Sequence, residues 1–179
     1  MKITPVMQKY ILHWGEMGAR WGVNRTVAQI HALLFLSPEP LPAETIADAL
    51  GVARSNVSTS IKELQSWGLI RIVHVMGDRR DHFESLKDMW EMALVIMEQR
   101  KRRELDPTLT MLRQAVLDAD TDRQTPKEIK ERMANVLEFM ETFTGWYEQM
   151  RSVPRPTLLK LMRLGAKVTK FLGKETAEK

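Results

Sequence analysis

Residues 50–70, LGVARSNVSTSIKELQSWGLI, carry two signals that pull apart. Within Arg54-Ser55-Asn56-Val57-Ser58-Thr59-Ser60, nearly every residue is a mediocre helix former. Such side chains lose rotamer freedom in a helix or hydrogen-bond their own backbone instead. Yet Val57, Ile61 and Leu64 recur at helical spacing. The spacing predicts a helix from about Arg54 to Ser66, ended by Gly68. On a helical wheel the apolar side centres on Val57, Ile61 and Leu64. The opposite side holds Ser55, Thr59, Lys62 and Ser66, flanked by Ser58. An ordinary solvent face would be filled with Glu, Lys, Gln and Ala. Here the polar choice costs helix propensity.

The flanking sequence gives this helix a context. AETIADAL, 43–50, reads as a short helix with Ile46, Ala47 and Leu50 inward. Gly51 follows, where a left-handed cap is wanted, and Gly51-Val52-Ala53 lets the two helices cross. After Gly68, LIRIVHVM (69–76) is rich in β-branched residues, GDRRD (77–81) has turn composition, and HFES (82–85) supplies a return strand. Helix, tight turn, helix and two-stranded β wing make a winged helix-turn-helix in a mostly α chain.

Further out, Met7, Tyr10, Trp14, Met17 and Trp21 form an a/d-like seam that would face a partner surface. Gly15, Gly18 and Gly22 weaken that helix, so packing must hold it. A helix from about Arg25 to Leu36 carries Val27, Ile30, Leu33 and Leu34, and SPEPLP (37–42) stops it. Ser85 and Asp88 suggest a capping box for a helix through Trp90, Ala93, Leu94 and Met97 to near Leu105. Asp106 and Pro107 open another, to about Leu117. Thr125-Pro126-Lys127-Glu128 opens a long one, to about Met150, and a last helix spans about 157–172. The expected organisation is an N-terminal dimerisation or linker helix (1–24), the winged helix-turn-helix (25–85) and a C-terminal helical dimerisation region (86–179).

With 44% hydrophobic and 28% charged residues, the 179-residue chain has the composition of a folded protein. Zero cysteines exclude disulfides and thiolate zinc sites. The opening MKITPVMQKY lacks a secretory apolar run, and no stretch nears the roughly 20 apolar residues of a membrane span. A cytoplasmic location is expected, without a membrane partner. The net charge of +4 leans weakly toward an anionic partner.

A helix entering a DNA major groove needs a low polar face, where Ser or Thr can bond bases or phosphates. Ser55, Ser58, Thr59 and Lys62 provide one, and Arg54 at its N-terminal end is the candidate guanine or phosphate contact. In the wing, Arg79 and Arg80 stand at the hairpin tip. One guanidinium can enter a narrow minor groove while Asp78 holds it through a charge-assisted bond. The bland alternatives are a solvated helix face and a generic charged turn.

Residues 14–70 and GDRRDHFES, 77–85, resemble the MarR superfamily of winged-helix regulators, and within it the GbsR-like branch. The superfamily's wing Asp-x-Arg pattern is met by Asp78, Arg79 and Arg80. The glycine- and tryptophan-containing helix before the motif is the more branch-specific part. The similarity covers roughly the first 100 residues; beyond them it is helical pattern only. It implies a homodimeric, sequence-specific regulator of transcription, a repressor reading a pseudo-palindromic operator. Apolar seams stand ready at Met7 to Trp21 and at Leu158, Leu161, Met162, Val168, Phe171 and Leu172. Family members often carry Ser where this chain has Ala53. Either Ser55 caps the helix one register later, or phosphate orders its first turn.

Some GbsR-like proteins are associated with choline or glycine betaine metabolism. Trp14, Trp21 and Trp90 are therefore candidates for an effector pocket holding a quaternary ammonium such as choline or betaine; plain core and dimer packing is the competing reading. Lys160, Arg163, Lys167, Lys170 and Lys174 form a basic stripe that could touch DNA backbone or remain a solvated face, and Arg100-Lys101-Arg102-Arg103 reads the same way. His13, His31, His74 and His82 have no metal-ligand spacing, and no catalytic constellation is present. No cofactor, metal or enzymatic activity is expected. The rival function class is a winged-helix protein-interaction module that binds no DNA.

Overall fold

A computed structural model describes residues 3–165. The chain divides into two compact units, 1–102 and 103–179.

In the first unit, α1 (Pro5–Arg20) is capped by the Thr4 hydroxyl, which accepts from the Met7 amide. α2 (Arg25–Leu36) is capped by Asn24, whose side chain accepts from Thr26 N. The helix-turn-helix follows as α3 (Ala43–Leu50) and α4 (Arg54–Ser66). Gly51 takes the left-handed conformation, φ +64°, and lets the chain turn between them. The sheet has three antiparallel strands in the order β1-β3-β2: β1 (Leu41–Pro42), β2 (Ile70–Val73) and β3 (His82–Ser85). The wing register pairs Ile70 with Ser85 and Val73 with His82. α5 (Met89–Arg100) closes the unit.

The expected two-stranded wing is present as β2 and β3, and β1 adds a third strand to its sheet. SPEPLP does end α2, but Leu41 and Pro42 then pair with Phe83 and His82. Proline donates no backbone hydrogen bond, so it is tolerated at such a sheet edge. The expected capping box also changes. Asp88 alone caps α5, accepting from the Trp90 and Glu91 amides, while Ser85 lies in β3. The buried side of α5 is Met92, with Val95 and Ile96 partly covered, whereas Met97 is exposed. Apolar residues surround this helix, so periodicity could not single out its inner face.

α2 is the centre of the core. Val27, Ala28, Ile30, His31, Ala32, Leu33 and Leu34 are all buried. Ile46 from α3, Val57, Ile61 and Leu64 from α4, Leu69 and Ile70 beside the wing, and Phe83 complete it. α1 packs on α2 through Ile11, Gly15 and Gly18. A Cβ at Gly18 would lie 2.5 Å from the Cβ of Ala28, and one at Gly15 would lie 2.6 Å from Gln29 Cγ. The glycines that weaken α1 as an isolated helix are what let it sit this close. Tyr10 and Trp21 of the apolar seam remain exposed.

Two polar groups hold α2 to the far end of the sheet. His31 Nε2 lies 3.1 Å from Ser85 Oγ. The Lys87 ammonium donates to the carbonyls of Leu34, Phe35 and Ser37, at 2.7, 3.0 and 2.7 Å. Helix C-termini leave such carbonyls without intrahelical partners, and a lysine supplies both the protons and the favourable charge.

In the second unit, α6 (Asp106–Thr121) and α7 (Lys127–Ser152) pack together, bridged by Arg113 and Glu141 at 2.8 Å. A π-helical turn, Lys101–Leu105, links α5 to α6. Asp106 lies inside α6 and does not cap it. Thr125 does not cap α7 either, because its hydroxyl bonds the Asp122 carboxylate. α8 (Arg155–Leu164) follows. Residues 166–179 lie outside the described part, and with them Lys167, Val168, Lys170, Phe171, Leu172 and Lys174. Among the described residues, no helix is long and apolar enough to cross a membrane.

Burial, and secondarily the Lys87 charge, lowers the pKa of His31 from 6.5 to about 4. The folded protein therefore binds fewer protons than the unfolded chain between those values. The contribution of His31 is complete above pH 6.5 and is lost as the pH falls toward 4. At about 1.4 kcal/mol per pH unit, this is on the order of 3 kcal/mol. Urea unfolding at pH 7 and pH 4.5 should show such a loss, and His31→Gln should flatten it. An unchanged pH slope in the variant would contradict the assignment.

Candidate nucleic-acid interface

α4 divides by side-chain size as well as polarity. Val57, Ser60, Ile61 and Leu64 are buried, which fixes the helix on α2 and α3. Arg54, Ser55, Ser58, Thr59, Lys62 and Ser66 are exposed. Ser60 is the one hydroxyl of the run that turns inward. Neither Arg54 nor Lys62 makes an ion pair or hydrogen bond with a described residue, so both charges face solvent.

The start of α4 answers the capping question. Ala53 is the N-cap residue, in extended conformation (φ −63°, ψ 142°), and no side chain caps the helix. Ser55 is already its second residue and does not cap it one register later. The first amides of α4 consequently point outward without a side-chain acceptor. Together with the helix dipole, they form a positive end beside Arg54 that suits a phosphate.

The wing is braced at its tip. The Asp78 carboxylate grips the Arg80 guanidinium, with Nε–Oδ1 at 2.9 Å and Nη2–Oδ2 at 2.5 Å, and also accepts from the Arg80 amide at 3.0 Å. These bonds hold the Asp78 carboxyl well below the usual carboxylate range. His82, buried at the start of β3, places Nε2 3.4 Å from the same carboxylate and Nδ1 3.0 Å from the Arg80 carbonyl oxygen. Arg71 and Glu84, directly opposed across the strands, form an ion pair at 2.6 Å. Arg79 makes no ion pair or hydrogen bond with a described residue. The hairpin therefore presents one guanidinium fixed in direction and one free to turn.

The Trp14 ring stacks on Tyr10 at 5.7 Å. Trp21 is exposed, with the Arg100 guanidinium 5.9 Å from its ring centroid and donating to its carbonyl. Trp90 stands in the first turn of α5. Among the described residues, no cluster of His, Asp and Glu could hold a metal ion. Lys160 and Arg163 of α8 are exposed.

Residues 21–81 match the sequence model of the MarR family. The match runs from the end of α1 through the helix-turn-helix to the wing tip. No curated protein matches the chain. A solved structure described as a transcriptional regulator superposes with a TM-score of 0.60 at 19% identity, covering 81% of this chain and 99% of that one. Regulator Tm0710 from Thermotoga maritima gives 0.38 at 16% identity, covering 83% and 94%. A mutant of Staphylococcus aureus MepR bound to an oligodeoxyribonucleotide gives 0.38 at 16%, covering 77% and 90%. At 19% identity the likeness to the first is one of fold.

Because Ala53 already has N-cap geometry, Ala53→Ser should add the missing acceptor without moving the backbone. Thermal or urea unfolding should show a gain of roughly 0.5–2 kcal/mol. A loss of stability would mean that another group already serves the first turn of α4.

Proposed function

We propose that this protein is a double-stranded-DNA-binding transcriptional regulator. It acts as a homodimer, with α4 in the major groove and the 77–81 wing in the minor groove of each half-site. The observation that carries this reading is the outer face of α4. Short hydroxyl side chains lie between two unpaired cations, on a helix whose opposite side is anchored in the core. Arg54, Lys62 and the helix N-terminus supply phosphate contacts, Ser55, Ser58 and Thr59 lie against base edges, and Arg80, aimed by Asp78, enters the minor groove. The match of residues 21–81 to the MarR family supports the same reading. The resemblance of the glycine- and tryptophan-containing helix before the motif is the ground for placing the chain in the GbsR-like branch.

Two-fold symmetry places the half-sites about one helical turn apart, roughly 10 bp. Occupation of such a site within a promoter excludes polymerase, which makes the protein a repressor. Dimerisation is supported by apolar surface left uncovered in the chain alone. On α7, Phe139, Phe143 and Trp146 form a ladder with centroid spacings of 6.5 and 6.2 Å. All three are exposed, at 67%, 45% and 54%. A quaternary ammonium effector at Trp21 would have to displace Arg100 from the ring face, which offers one route by which binding could move α5 against α1.

Mobility-shift titrations with genomic fragments test the main reading. Binding should be specific near 50 mM salt and weaken steeply as salt rises. Arg80→Ala should weaken it on all sequences. Ser55→Ala or Thr59→Ala should change sequence preference by about 0.5–1.5 kcal/mol at single positions. Absence of specific binding at low salt would leave the protein-interaction class. Sedimentation of Phe143→Glu tests the dimer: a fold retained by circular dichroism with conversion to monomer is expected, and an unchanged dimer would move the interface elsewhere.

A further inference from the structure

The wing carries an apolar feature that phosphate and base contacts leave unused. The Asp78 amide donates to the Val75 carbonyl at 3.1 Å, closing a turn over residues 75–78. Gly77 has φ +84°, as a type II turn requires at its third residue. Met76 therefore occupies the outer corner of the hairpin. Its side chain is fully exposed, and Val75 and Ile72 behind it are 40% and 42% exposed. A flexible apolar side chain at the corner of a short turn gains nothing from water. It stands two residues before Asp78, whose grip on Arg80 stiffens the tip, and three before the unpaired Arg79.

We propose that Met76 is a wedge that inserts from the minor-groove side into a base step and bends the DNA. The inference rests on the DNA-binding reading above and extends it from contact to deformation. The two guanidiniums call for an anionic occupant, and the exposed hydroxyl face of α4 with Arg54 and Lys62 points to a DNA groove of high negative potential. Methionine is among the side chains that proteins insert between base steps. Insertion partly unstacks the step and kinks the duplex by roughly 20–90°. In a symmetric dimer two wings insert, one at each outer flank of the operator. Sequence preference then arises there without hydrogen bonds, because pyrimidine–purine steps such as TA and CA open more easily than others.

Met76→Ala and Met76→Gln, with Arg80→Ala as the control, test this on a fluorescently end-labelled operator fragment. Binding is read by anisotropy and bending by energy transfer between the ends. The wild-type protein should bend its site. Both Met76 variants should bind within about tenfold of wild type, with at least half of the bend lost and the preference for a flexible step at the flank removed. Their salt dependence should be unchanged, whereas that of Arg80→Ala should flatten. Wild-type bending retained in either variant overturns the wedge while leaving DNA binding intact, as does wild-type binding without a bend. Failure of the wild-type protein to bind any duplex overturns the DNA reading and the wedge together.

Discussion

The burial of α2 is the constraint on which the rest of the first unit depends. Seven of its twelve residues are buried, so its polar groups must find partners within the protein. A buried donor or acceptor left unpaired costs about 1–3 kcal/mol. His31 finds Ser85, and the carbonyls of Leu34, Phe35 and Ser37 find Lys87. Both partners sit at or just beyond the end of β3, so satisfying α2 fixes where the wing begins. The other sides of α2 receive α1 and α4. The same helix thus sets the position of the groove-facing helix and the root of the hairpin.

Residues around the helix-turn-helix divide their work by side-chain size. On α4, four residues inward secure the helix, and the outward ones are short enough for a duplex to come close. On α1, glycines perform the related service inside the protein, letting two backbones approach. At the wing, direction comes from paired charges: Asp78 holds Arg80 and faces His82. A guanidinium held in this way loses less freedom when it meets its target than a solvated one.

The helix-turn-helix was legible in the sequence because its signals agree. The bounds of α2, α3, α4 and β3 follow from periodicity punctuated by Pro38, Pro40, Gly51 and Gly68. Adjacency of Asp78 and Arg80 also made their pairing readable. Other features depend on contacts distant in sequence and leave no local trace. β1 is two residues long and exists only because Phe83 and His82 lie beside it. The packed side of α1 follows glycines, which a hydrophobic pattern cannot weigh. Ser85 and Thr125 looked like helix caps, but a tertiary partner claims one and a loop carboxylate the other. Met76 read as the end of a strand; only the turn geometry makes it a corner.

The lysine and serine that complete α2 come from 50 to 54 residues further along the chain. Closing a loop of about fifty residues costs roughly 3 kcal/mol in chain entropy before a constant. The helices α1 and α2, adjacent in sequence, can meet early at little such cost. The wing strands lie beyond the helix-turn-helix in the chain, so their contacts with α2 are the non-local ones. Non-local closure of this kind slows folding. Until Lys87 arrives, the end of α2 and the apolar face that receives Phe83 stay open to water. The same short strand, β3, thus serves two closures at once: its Phe83 completes the core, and its backbone pairs with both β1 and β2.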